Sequence, residues 1–139
     1  MSAPFNLERF VTAQDAVYAD ILRELRAGRK TSHWMWFIFP QVRGLGSSPM
    51  AERFAISSLN EARAYLAHHV LGQRLVECCD ILVHLENNDA RTIFGSPDDL
   101  KLKSSMTLFA CVSLDGNIFE DVLDKFYGGA SDPQTIERL

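Results

Sequence analysis

The run Ser32-His33-Trp34-Met35-Trp36-Phe37-Ile38-Phe39-Pro40-Gln41 constrains this chain more than any other stretch. It holds both tryptophans and two of the nine phenylalanines. A buried aromatic side chain removes roughly 150–250 Å² from water, so a segment this dense belongs in the middle of a core. An imidazole opens it and a Pro-Gln pair closes it, which sets polar groups on either side of the apolar mass. Thr31 or Ser32 is placed to cap a short helix through Phe39, which Pro40 would stop. The apolar run from Trp34 to Phe39 fits a buried strand equally well. The helical reading is preferred because every other clear period in the chain is helical.

Upstream, Asn6 is a suitable N-cap. Leu7, Phe10, Val11, Val17, Tyr18, Ile21, Leu22 and Leu25 then recur at three- and four-residue spacing. The pattern predicts one amphipathic helix of about five turns, ended by Gly28. Gln14 falls on its apolar face, where an unpartnered carboxamide would cost roughly 1–3 kcal/mol. It is either bonded within the core or turned towards a ligand.

Downstream, Val42-Arg43-Gly44-Leu45-Gly46-Ser47 is a glycine-rich loop without G-x-G-x-x-G or Walker spacing. Ser48-Pro49 reads as N-cap and first-turn proline of a short helix to about Ser57. Ser58 and Glu61 form a capping box for a helix from Leu59 to about His68. The stripe Leu71, Leu75, Cys78, Cys79, Leu82 and Leu85 marks a longer helix ending at Asn87-Asn88, and Asp89 caps a turn closed by Gly95. Ser96-Pro97-Asp98-Asp99 opens a helix to about Val112 that is apolar on more than one side, so it should be central. Lys103, Ser104 and Thr107 interrupt it. Asn117 and Glu120 cap a helix that Gly128-Gly129 stops, and Asp132-Pro133 begins a terminal turn. The expectation is an all-α, single compact domain over 1–139, with about six to eight helices around a central buried helix.

A net charge of −4 argues against general nucleic-acid binding, which needs several cations to displace condensed counterions. No apolar run approaches the roughly 18–20 residues that cross a bilayer. Met1-Ser2-Ala3-Pro4-Phe5 lacks the basic and apolar regions of a secretory signal. Cys78, Cys79 and Cys111 make no disulfide framework, and a cytoplasmic setting is expected.

No His/Cys spacing fits a metal site, and no cofactor motif is present. There is no G-x-S-x-G elbow. Cys78 and Cys79 lie on an apolar face, where thiols behave as small hydrophobes. Ser104, Ser105 and Thr107 beside Lys103 hold the ingredients of a Ser-Lys pair, but those are ingredients common to exposed helices. A third arrangement draws on more of the sequence. Small-molecule sites are mostly apolar with a few placed polar groups. Gln14, Trp34, Trp36, Gln41, Ser104 and Thr107 supply such a set, and Arg29 and Lys30 add charge for an anion. His33 is the candidate acid/base, since imidazole naturally titrates near neutrality, with Lys103 as its cationic partner. The expected function is to bind, or process, a small anionic or nucleotide-like molecule. The alternative is an interaction or homo-oligomerisation module without catalysis.

The run from Lys30 to Gly46 resembles an uncharacterised bacterial and fungal family known as domain of unknown function 1810, whose members are sometimes mislabelled calpastatin. Leu7-x-Arg9-Phe10, Ala13-Gln14, Tyr65-Leu66, Leu71-Gly72-x-Arg74-Leu75, Phe94-Gly95 and the run Lys101 to Phe109 agree with it. The similarity covers about Asn6 to Leu139. Where the family commonly has His-Pro, this chain has His68-His69. The resemblance implies an α-helical, cytoplasmic-type single domain and carries no reaction with it.

Overall fold

The structure, a computed structural model, describes residues 5–139; Met1–Pro4, which carry most of the stretch read above for a signal, lie outside the described residues. The described chain is helical, in the order α1 (Glu8–Asp15), α2 (Tyr18–Arg26), α3 (Met35–Ile38), α4 (Pro49–Arg53), α5 (Leu59–Ala67), α6 (Leu71–His84), α7 (Ala90–Phe94), α8 (Asp98–Cys111), α9 (Ile118–Tyr127) and α10 (Pro133–Glu137). Six of these run for eight residues or more, and the other four are single turns. The only pairing of extended backbone among the described residues is an isolated parallel bridge between Val42 and Ile56.

The helix expected from Asn6 to Gly28 is two helices, with a turn at Ala16-Val17. Leu7, not Asn6, occupies the N-cap position. α1 packs on α3 while α2 packs on α6, and a straight rod could not lay one stripe on both. Periodicity identifies the buried side chains but is blind to a bend that keeps them buried.

The segment around His33 also differs from expectation. α3 begins only at Met35, with Trp34 and not Thr31 or Ser32 at its N-cap position, and has no side-chain cap; the Ser32 hydroxyl is bonded to Glu24 instead. Ser48 caps α4 as expected, but that helix stops at Arg53, and the chain is extended at Ile56 to meet Val42. Ser58 accepts from the amide of Glu61 at 3.1 Å, and Glu61 reaches back to the amide of Ser57 at 2.7 Å. That is a capping box displaced by one residue.

α8 is the central helix. Leu102 and every residue from Ser104 to Phe109 are buried, and the helix packs against α5, α7, α9 and α10. The aromatic run takes part in two chains of rings, of which the first reaches this helix. One passes from Phe37 through Phe54, Phe10 and Tyr65 to Phe109 of α8. The other is the trio Trp34, Phe39 and Phe94. Trp34, Phe37 and Phe39 are all buried, and Trp36 alone of the run's aromatics is part-exposed.

Candidate functional site

Each candidate residue has a definite place, and they do not share one. Gln14 is fully buried in α1. Its Nε2 donates to the carbonyl of Phe37 at 2.7 Å and to the hydroxyl of Tyr65 at 3.0 Å, and its Oε1 accepts from Arg74 at 3.3 Å. The carboxamide ties α1 to α3, α5 and α6, and no group is left over for a ligand except one lone pair.

Trp34 is likewise internal. Its indole Nε1 donates to Glu24 at 3.0 Å. The same carboxylate accepts from the amides of Thr31 and Ser32 at 2.6 and 3.0 Å and from the Ser32 hydroxyl at 2.5 Å. Burial alone would raise the Glu24 pKa, but these bonds from Ser32, Thr31 and Trp34 outweigh it and hold the carboxyl at about 2. The loop is therefore wound around a buried anion, which takes the Ser32 hydroxyl and the amides of Thr31 and Ser32. Lys30 lies over the Trp34 ring at 5.3 Å and pairs with Asp98 at 2.9 Å. Arg29 and His33 are exposed on the outside of this loop. The cations that bracket the aromatic run thus serve the loop or face solvent.

A different set converges beside α8. Gln41, Leu45 and Gly46 of the glycine-rich loop face Pro97, Leu100, Lys101, Lys103 and Ser104, with Asp132 and Gln134 at the entrance of α10. They enclose a cleft of about 350 Å³. Of the expected residues, Gln41, Lys103 and Ser104 line it. Trp36 borders an adjoining crevice that shares Gln41, Gly46 and Lys101 with it. Gln14, Arg29, Lys30, His33 and Trp34 line neither.

Local geometry explains the lining. Spacings of three and four residues set Pro97, Leu100 and Ser104 in a row over two turns, and Lys101, after Leu100, and Lys103, before Ser104, fall on its two flanks. The Lys101 ammonium lies 5.6 Å from the centroid of the Trp36 ring and 3.5 Å from Asp98. Lys103 lies 5.9 Å from the Tyr127 ring, and among the described residues it makes no ion pair. The buried Nε1 of Trp36 meets no acceptor among the described residues. The roof is tightly fitted: a Cβ on Gly46 would stand 2.5 Å from that of Ala51.

Ser104 and Thr107, the polar breaks in the central helix, hold Asp132 in position. The Ser104 hydroxyl donates to Asp132 Oδ2 at 2.7 Å, and Thr107 Oγ1 accepts from the Asp132 amide at 2.9 Å. Thr135 adds a second hydroxyl to Oδ2 at 2.6 Å. Burial pushes the Asp132 pKa up, but the hydroxyls of Thr135 and Ser104 and the first amides of α10 pull it below the ordinary aspartate value. Asp132 is thus an anion at neutral pH. Thr107 supports the cleft from behind and does not line it.

Sequence reasoning missed Lys101, Asp132 and Gln134. Lys101 was within reach as the first lysine of the Lys101-Leu102-Lys103 run. Asp132 and Gln134 come from 28 or more positions away along the chain, and nothing local announces that α10 folds back on α8.

His68 and His69 stand at the start of α6. His68 Nδ1 accepts from the amides of Val70 and Leu71 at 3.1 and 3.3 Å, and the two rings stack 4.9 Å apart. They cap a helix. Among the described residues no group of three or more His, Cys, Asp or Glu side chains is placed to hold a metal ion, and no helix is long and apolar enough to cross a membrane.

Fold and site together define an all-helical domain whose central helix carries a two-lysine cleft under a glycine-rich loop. The chain belongs to the family described as Protein of unknown function (DUF1810), which it matches over residues 4–139. It is similar to the conserved hypothetical protein Rv1873 from Mycobacterium tuberculosis. The crystal structure of that protein superimposes with a TM-score of 0.96 at 55% sequence identity, covering 99% of this chain and 98% of that one. A search of the curated proteins finds no match.

Proposed function

We propose that this protein binds a small anionic molecule, phosphate-bearing or nucleotide-like, in the cleft between the glycine-rich loop and α8. The observation that carries this reading is that Lys101 and Lys103 both line one cleft whose only lining carboxylate, among the described residues, is Asp132. Lys103 has no carboxylate within ion-pair distance among the described residues, and the one nearest Lys101 is Asp98 at 3.5 Å. Cations left in surplus on a concave wall favour an incoming anion, and ammonium groups serve phosphate as point charges. Gln41, Gln134 and Ser104 add neutral hydrogen-bonding groups, while Leu45, Pro97 and Leu100 supply the apolar wall that such sites usually have.

Cation placement also favours this cleft over the Arg29–His33 loop. Lys30 is already paired with Asp98, and the carboxylate of Glu24 is the anion that the loop encloses. A cytoplasmic setting suits the three free thiols, two of them buried.

The test is calorimetric titration of the protein with inorganic phosphate, pyrophosphate and AMP, repeated on Lys103→Ala. The expected result is binding that weakens as salt is raised and falls about tenfold in the variant, equivalent to about 1.4 kcal/mol. Equal affinity in the two proteins would remove the cleft from the account.

A further inference from the structure

The cleft holds both signs of charge, and that narrows the ligand. This step rests on the anion-binding reading above. Asp132 stands in the same hollow as Lys101 and Lys103, yet no ion pair joins it to either. Two hydroxyls, from Ser104 and Thr135, occupy Oδ2 of Asp132, and among the described residues no side chain donates to Oδ1. A carboxylate only accepts hydrogen bonds, and it repels the phosphate that two neighbouring lysines attract. The part of a ligand lying against Asp132 must therefore donate hydrogen. Lys101 shares Asp98 with Lys30, and Lys103 makes no ion pair among the described residues. The excess of positive charge that remains favours a ligand negative as a whole over a neutral zwitterion. A cleft of about 350 Å³ lies at the small end of the roughly 300–1,000 Å³ range of ligand pockets.

We infer that the cleft takes a polyol phosphate, with its phosphate on Lys101 and Lys103 and a sugar hydroxyl donating to Asp132 Oδ1. The chemistry is the same whether the sugar phosphate is free or is the ribose phosphate of a nucleotide. A hydrogen bond from a hydroxyl to an ionised carboxylate is about twice as strong as a neutral one. A site built around such a bond strongly rejects the analogue that lacks the hydroxyl. Ser104 and Thr107 then have a functional reason to be polar within a buried helix: they fix where that carboxylate stands.

The experiment is a calorimetric series on the unmodified protein with inorganic phosphate, ribose 5-phosphate, 2-deoxyribose 5-phosphate, AMP and glutamate, repeated on Asp132→Asn. The asparagine keeps one oxygen for Ser104 and Thr135 but removes the charge and puts an NH2 donor where the second carboxylate oxygen stood. Ribose 5-phosphate is expected to bind about tenfold more tightly than inorganic phosphate. In Asp132→Asn that advantage should shrink below about threefold, while phosphate itself binds better because the repulsion is gone. AMP tighter than ribose 5-phosphate identifies a nucleotide as the source, and equal affinities identify a free sugar phosphate. If phosphate binds and ribose 5-phosphate gains nothing over it, this inference fails and the anion site stands. Glutamate binding more tightly than ribose 5-phosphate, or an advantage undiminished in Asp132→Asn, likewise overturns it. If no anion binds at all, the anion-binding reading itself fails. The ligand series on the unmodified protein decides the matter even if the variant does not fold.

Discussion

The indole N–H of Trp34 donates to Oε1 of Glu24 at 3.0 Å, and this bond fastens the aromatic run to the last turns of α2. Glu24 is 5% exposed and holds its charge because four donors converge on it. Stability should therefore depend on pH through this carboxyl. Its folded-state pKa of about 2 lies below the roughly 4.3 of a free glutamate. Its contribution is thus complete above about pH 5 and is lost as pH falls through about 4 towards about 2. Urea unfolding between pH 6 and pH 2.5 should show that loss. Glu24→Gln should lower stability by more than about 2 kcal/mol at neutral pH and flatten the acid limb. An unchanged acid limb would mean that the carboxylate does not anchor the loop.

Gln14→Leu keeps the volume of the side chain but breaks three hydrogen bonds. It leaves Phe37 O with only the longer 3.3 Å bond from Tyr65 and strips Arg74 of a partner. The expected cost is about 2 kcal/mol, measured as a shift of the urea midpoint with the slope unchanged.

Gly72 lies in the first turn of α6, where an added Cβ would overlap the carbonyl oxygen of Leu66. Alanine gains about 1 kcal/mol of helix propensity over glycine, but a backbone carbonyl cannot swing aside. Overlap should win, giving a net loss of about 2 kcal/mol for Gly72→Ala. A melting temperature equal to or above that of the unmodified protein would contradict the close α5–α6 junction.

His33→Ala should be silent. The imidazole is exposed and makes no side-chain hydrogen bond among the described residues. Stability should stay within about 0.5 kcal/mol, and inorganic phosphate should bind as it does to the unmodified protein. A lost phosphate response would return the site to the Thr31–Trp34 loop.

What the sequence disclosed follows the range of each interaction. Caps are local, so Ser48, Ser58, Asp89 and Asn117 mark four helix starts correctly. The all-round apolar α8 identifies itself as central. The bend at Ala16-Val17 was illegible because burial continues across it. The wrapped loop was illegible because Glu24 looks like one more surface acid until its four donors are in place. The site divides in the same way. Lys103, Ser104 and Gln41 stood out as polar residues in apolar surroundings, and they do line one cleft. Gln14 and Trp34 stood out for the same reason but meet their partners inside the core. An anomaly in a pattern marks a polar group that needs a partner, without saying whether that partner is protein or ligand.

The two tryptophans give the most direct test of the central claim. Trp34 is locked onto Glu24, whereas Trp36 lies under the Lys101 ammonium beside the cleft. In a ¹⁵N-labelled sample each contributes one indole N–H signal, and titration with inorganic phosphate reads both at once. The account predicts that the Trp36 signal moves together with the amides of Gln41–Gly46 and Lys101–Ser104, while the Trp34 signal stays in place. Movement of Trp34 with the Thr31–His33 amides while Trp36 is still, or no movement anywhere, would contradict it.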